Sequence, residues 1–124
     1  MDGIDALPPQ RGDIFFIDLT VGAVGSEQKG DRPAVVISNN LTNQFNVVVV
    51  VAAITTTVPA VKNQPWNVKL TAGNPLPRES YIMCTQLRTV DKSRFRRKAG
   101  SLSPVQMAEL ETALKSALGI DGTL

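Results

Sequence analysis

A chain of 124 residues with 43% hydrophobic and 19% charged side chains is long enough for one globular domain and too short for two. Thirteen lysines and arginines against eleven carboxylates leave a net charge of +2, which excludes a polycationic nucleic-acid binder and requires any basic site to be local. Histidine is absent, so the usual general base near neutral pH and the commonest metal ligand are both excluded.

Residues 1–10, MDGIDALPPQ, hold acids and paired prolines but neither a basic nor an apolar run, so they read as a flexible tail and not a secretory leader. GDIFFIDL at 12–19 is short, aromatic and β-favouring, and predicts a strand. TVGAVGSEQKGD at 20–31 has three glycines and no helical period. A loop of about twelve residues is near the upper limit for a structureless connection, and such loops often carry function. Pro33 then opens a second strand, AVVIS, where a missing ladder donor is tolerated.

NNLTNQFN at 39–46 is asparagine-rich turn chemistry. VVVVVAAIT at 47–55 is nearly all apolar, as a strand buried on both faces requires. Its run is far short of the roughly 18 residues of a membrane helix, and a cytosolic protein is the plain expectation. TTVPAVKNQP at 56–65 reads as a second exposed loop, WNVKL at 66–70 as a short strand, and SYIMCTQLRTV at 80–90 as another. Cys84 is the only cysteine; with no histidine to activate it, it reads as a packed thiol, not a nucleophile.

DKSRFRRKAG at 91–100 reads as a turn or irregular edge. The one strong helix signal follows: Ser103 to cap, Pro104 at the first helical position, and Gln106 to complete a capping box. Met107, Leu110, Leu114, Ala117 and Leu118 form an apolar stripe, and Gly119 terminates it. About five strands and one helix predict a small, mostly antiparallel barrel.

A barrel this small is filled by its own side chains, so a ligand binds across its rim and loops. Arg32 closes the 20–31 loop and Thr55 ends the strand before the 56–65 loop; if those strands are neighbours, both stand at one rim. Spacing alone slightly favours a structural Arg32, paired to Asp31 or Glu27. The run RTVDKSRFRRK at 88–98 clusters Arg88, Lys92, Arg94, Arg96, Arg97 and Lys98 around Phe95, a pattern that can hold phosphates and stack a base. As a solvated face with Phe95 in the core it would mean nothing. The scattered carboxylates match no metal-binding spacing, and GAVGSEQKG matches no Walker motif.

Taken in order, GDIFFIDL, GSEQKGDRPAVVIS, VVVVVAAIT and QLRTVDKSRF resemble the MazF/PemK family of bacterial toxin endoribonucleases. The likeness runs from Arg11 to about Ile120, which marks 11–120 as one toxin domain and 121–124 as a C-terminal tail. The resemblance implies an SH3-like barrel with a C-terminal helix (MazF/CcdB-like) that associates as a homodimer in the cytoplasm. It also implies cleavage of single-stranded mRNA at specific sequences, without metal or cofactor, and control by a MazE-type antitoxin. The catalytic pair is the arginine of the R-P block and the threonine of A-A-I-T, here Arg32 and Thr55. The base is left open: Glu27 is the obvious carboxylate for proton transfer, and water or a group from a partner chain could serve instead. Ser26, Gln28 and Lys29 line the RNA site from the loop, and Gln86, Arg88 and Arg94 serve as further RNA contacts.

RNA supplies its own nucleophile, the 2′-hydroxyl, so a protein with this chemistry needs to align it, move a proton and neutralise the phosphate. A guanidinium fork suits the last task and is a poor base. The expected products carry a 2′,3′-cyclic phosphate and a 5′-hydroxyl. The chain departs from the family at Asn40, where an acid is frequent, and at Thr85-Gln86-Leu87-Arg88-Thr89, where E-Q-I-R-T is frequent; Gln86 keeps a group able to read a base edge. Two other classes compete: a CcdB-like toxin that binds gyrase without nuclease activity, and a non-catalytic RNA-binding module.

Overall fold

The most apolar segment takes the middle of the fold. In the computed structural model, which describes residues 8–27, 29–56 and 64–124, six strands form one antiparallel sheet. They are β1 (Asp13–Asp18), β2 (Asp31–Val36), β3 (Val48–Thr55), β4 (Asn67–Leu70), β5 (Ser80–Asp91) and β6 (Phe95–Ser101). The order is β4-β5-β3-β2-β1-β6. A short helix α1 (Asn40–Phe45) joins β2 to β3, and helix α2 (Pro104–Leu118) follows β6.

Strand periodicity divides the buried residues between two faces. Val49, Val51 and Ala53 of β3 join Phe15, Ile17, Leu19, Ala34, Val36, Met83, Val90 and Phe95 in one core. Ala52 and Ile54 join Ile14, Val35, Val68, Leu70 and Ile82 in the other, beneath Leu110 and Ala113 of α2. The expectation that β3 is buried on both faces therefore holds. Each fully buried aliphatic side chain contributes about 1.5–3 kcal/mol.

The first face is enclosed because the sheet curls. Ala52 pairs with Leu87 but Ala53 pairs with Met83, so Cys84, Thr85 and Gln86 form a bulge, and bulges bend a strand. The far half of β5 returns over the first core, and the single 3-10 turn Lys92–Arg94 suffices to reach β6. Phe15 and Phe95 meet there with ring centroids 5.0 Å apart. No ladder joins β4 to β6 among the described residues.

Several expectations need correcting. The 91–100 stretch contains a full sixth strand, β6. It is an edge strand with register shifts against β1, so few of its side chains face a core and its apolar pattern is faint. The Asn-rich 39–46 turn is the short helix α1, capped by Asn39, whose side chain accepts from the Thr42 N–H at 2.8 Å. Buried Asn43 fixes that helix by donating to the Ser38 carbonyl at 2.9 Å. β2 begins at Asp31, two residues before Pro33. Its pairing with β3 starts only at Ala34, so the missing proline donor interrupts no β2–β3 pair.

The capping signals at α2 hold. Ser103 Oγ accepts from the Gln106 N–H at 3.2 Å, and Gln106 Oε1 accepts from the Ser103 N–H at 2.9 Å. Gly119 closes the helix at φ +72°. Leu118, however, is 57% exposed, and Ala113 takes its place in the buried stripe. Cys84 is buried in the second core, and burial pushes its thiol up to about 11. At the N-terminal side, Pro9 is buried and the Gln10 N–H donates to Asp13 Oδ2 at 2.9 Å; most of the expected tail, residues 1–7, lies outside the described residues. No helix among the described residues is long and apolar enough to cross a membrane.

Candidate functional site at the β2–β3 rim

Antiparallel neighbours enter and leave a sheet at the same end, and β2 and β3 are such neighbours. Ala34 pairs with Ala53, Val35 with Ala52 and Val36 with Val51. Carried two residues outward, that register sets Arg32 across from Thr55. Alternation puts both on the face of Ala34, Val36, Val51 and Ala53, the first core. The strands below are fixed by burial while their terminal residues stand at the rim.

Thr55 is buried and Arg32 is exposed. Arg32 Nε donates to the Lys29 carbonyl at 3.0 Å. That bond orients the guanidinium and leaves its two terminal nitrogens without a hydrogen-bonded acceptor among the described residues. The ion pair to Asp31 or Glu27 that spacing alone favours does not form. The ion pairs among the described residues are Arg11–Glu111, Lys69–Glu79 and Lys98–Asp13.

The β1–β2 loop is closed at its neck by polar bonds. The Leu19 N–H donates to the Gly30 carbonyl at 3.0 Å. The Gly30 N–H donates to Thr20 Oγ1 at 2.8 Å, and the Thr20 N–H to Asp18 Oδ1 at 2.9 Å. This last bond is the main reason the Asp18 carboxyl is held below its ordinary value; attraction to Arg94 and Arg96 adds to it. At the tip, Glu27 and Val24 bond reciprocally: Glu27 Oε1 accepts from the Val24 N–H at 3.1 Å, and the Glu27 N–H donates to the Val24 carbonyl at 3.2 Å. Ser26, Glu27 and Lys29 are exposed there, and Gln28 lies outside the described residues.

The remaining candidates come from β5 and the turn after it. Gln86 sits half-buried in the bulge, its Nε2 3.8 Å from Met83 Sδ. Arg88 points its guanidinium at the loop neck, with Nη1 3.1 Å from the Leu19 carbonyl and Nη2 2.6 Å from that of Val21. Arg94 precedes Phe95, which pairs with Ile17, itself the partner of Arg32; it therefore stands at the same end of the sheet. Its Nε and Nη2 are enclosed without a hydrogen-bond acceptor, and its charge helps lower Asp18 and Asp91. Much of the basic run serves the fold: Arg97 stacks 4.2 Å over the Phe16 ring, Lys98 pairs with Asp13, and Phe95 is fully buried.

Sequence reasoning passed over Thr20 and Tyr81. Thr20 locks the loop neck, and a threonine at a strand end is the only local signal of it. Tyr81 pairs directly with Thr55 and is buried, its hydroxyl without a hydrogen-bond partner; nothing in the 80–90 strand pattern distinguishes it from a core aromatic. Among the described residues no group of three or more His, Cys, Asp or Glu side chains could hold a metal ion. A groove of about 450 Å³ between β4 and α2 is lined by none of the candidate residues.

Residues 10–118 match the family of PemK-like, MazF-like toxins of type II toxin–antitoxin systems. The chain is 38% identical over 112 residues to Endoribonuclease EndoA of Bacillus subtilis (strain 168), covering 90% of this chain and 95% of that one. It is 38% identical over 113 residues to Endoribonuclease MazF of Staphylococcus epidermidis, covering 90% and 92%. Among solved structures, it is similar to a mycobacterial endoribonuclease in complex with its cognate antitoxin, with a TM-score of 0.76, 28% identity and 90% and 96% of the two chains covered. It is also similar to MazF from Deinococcus radiodurans, with a TM-score of 0.75, 25% identity and 90% and 97% covered.

Proposed function

The chain belongs to the PemK-like, MazF-like toxins of type II toxin–antitoxin systems, and from that premise we propose that it cleaves single-stranded mRNA at specific sequences without a metal ion. It is an endoribonuclease of the MazF type, as its curated relatives are named. The observation that carries the finer reading is the register of β2 and β3, which brings Arg32 and Thr55 to one rim.

The reaction needs no protein nucleophile. The 2′-oxygen attacks the adjacent phosphorus, the bond from phosphorus to the 5′-oxygen breaks, and a 2′,3′-cyclic phosphate and a 5′-hydroxyl result. The terminal nitrogens of Arg32 meet the negative charge that grows on the phosphate oxygens, a contribution strongest where it is preorganised. Thr55, held by a buried strand, orients the phosphate. The proton of the 2′-hydroxyl passes to a base, for which Glu27 is the carboxylate in the loop and water or a partner-chain group the alternatives, and the leaving oxygen receives one from Arg32 or water. Ser26, Gln28, Lys29, Gln86 and Arg94 supply the surrounding contacts to phosphates and base edges.

Two partners complete the proposal. A MazE-type antitoxin covers the rim and shuts out RNA, a reading supported by the antitoxin complex of the mycobacterial relative. A second copy of the chain makes a homodimer in the cytoplasm. Leu41, Phe45 and Val47 stand 70%, 75% and 71% exposed in and beside α1, apolar surface of the kind a partner covers. Light scattering that reads a monomer at micromolar concentration would count against the dimer.

The test of the function is cleavage of a long unstructured RNA in EDTA, with product ends mapped, comparing wild type with Arg32→Ala and Thr55→Ala. Discrete cuts with 5′-hydroxyl ends, lost in both folded variants, are expected. Intact RNA across varied sequences overturns the reading; RNA bound but uncut would leave a binding module, and gyrase inhibition a CcdB-like toxin.

A further inference from the structure

We propose that Arg88 is a positioning residue which clamps the neck of the 20–30 loop and, through that loop, sets the guanidinium of Arg32. The inference rests on the cleavage reading above and assigns Arg88 a task other than gripping RNA.

Apolar burial does not hold this loop. Val21 and Val24, its two large apolar side chains, are 67% and 72% exposed. Its shape depends on hydrogen bonds at the neck, and among the described residues the bonds that reach the neck from outside the neighbouring residues are those of Arg88. From β5, 69 and 67 residues away in sequence, its two terminal nitrogens reach the Leu19 and Val21 carbonyls. Bonds from a charged donor are stronger than neutral ones, and a planar fork can span two carbonyls where an ammonium is a single point.

The grip passes along the chain. Leu19 also donates to the Gly30 carbonyl, and Gly30 to Thr20 Oγ1, so the two strands of the neck move together. Lys29, next to Gly30, offers the carbonyl that orients Arg32 Nε. The turn that holds the second clamped carbonyl, Thr20–Ala23, is tight: the Ala23 N–H bonds to the Thr20 carbonyl at 3.2 Å, with Gly22 at φ +82°. A side chain at Gly22 would strain that turn. With the fork of Arg88 occupied by the loop's own carbonyls, its value to catalysis is geometric, and small misplacements of a reacting group are expensive.

The experiment compares wild type, Arg88→Met and Arg88→Lys by kcat and KM on an RNA substrate that the wild type cuts, and by amide hydrogen exchange. Methionine keeps an alkyl stem without donors, and lysine keeps one charged group able to reach one carbonyl. For Arg88→Met, kcat is expected to fall about 10- to 100-fold with KM within about threefold. The Leu19 and Gly30 amides should exchange at least about tenfold faster while β3 stays protected. Arg88→Lys should recover part of both effects.

A raised KM with unchanged kcat would make Arg88 an RNA contact and overturn the proposal, as would unchanged loop exchange. If β3 loses protection in Arg88→Met, the milder lysine variant decides alone. Should the wild type cut no RNA at all, the cleavage reading falls, and with it the positioning role, while the exchange comparison still reports whether Arg88 holds the loop.

Discussion

Helix α2 and the 20–30 loop are attached to the same sheet by different forces. The helix buries Leu110 and Ala113 in the second core and carries a complete capping box at its start. The loop leaves its apolar side chains in solvent and is held at its neck by Asp18, Thr20, Gly30 and Arg88. Burial is strong and non-directional; hydrogen bonds are modest but fix geometry. Under the proposed function, the contrast assigns stability to one side of the molecule and reaction geometry to the other.

The sharpest way to break that assignment is Leu110→Ala. Deleting a fully buried leucine should cost about 2–5 kcal/mol in urea unfolding and leave cleavage per folded molecule unchanged. A variant that loses activity while keeping its stability would show that the helix reaches the rim. The mirror experiment is Arg32→Ala, for which cleavage should fall about 10²- to 10³-fold with stability within about 0.5 kcal/mol of wild type. Substantial destabilisation there would make Arg32 a structural residue after all.

Ser103→Ala is the milder helix test: about 1 kcal/mol lost with the N-cap and no change in cleavage. The smallest effect belongs to the loop neck in acid. Asp18 is held below the ordinary aspartate value of 3.8 by the Thr20 N–H. Its contribution is therefore fully present above that value and is lost as pH falls through the lower folded one. A Thr20 amide signal followed by NMR should shift with a midpoint below 3.8 and lose that transition in Asp18→Asn. A midpoint at or above 3.8 would contradict the bond.

Local signals account for what the sequence made legible. Ser103, Gln106 and Gly119 mark α2 because capping is settled within one turn. The unbroken β-branched run of β3 marks a strand with two buried faces. The common rim of Arg32 and Thr55 needed only that β2 and β3 be antiparallel neighbours. What stayed hidden depends on distant residues. β6 offers a core one aromatic, Phe95, among exposed or half-exposed basic side chains, so its pattern resembles a surface turn. Helix α1 rests on buried Asn43 meeting Ser38, a contact that no periodicity encodes. The grip of Arg88 on the loop joins positions almost 70 apart, and in the sequence that arginine is one basic residue among several.

Cys84 sits beneath α2 in the second core, where burial pushes its thiol up to about 11. That keeps the thiol protonated near neutral pH, and the thiolate is the form that reacts. With no other cysteine in the chain, alkylation of the native protein becomes a clock for transient opening of the helix–sheet contact. A cysteine placed in the exposed loop, at Val24 for instance, would label without any opening and so supply the intrinsic rate against which that clock is read.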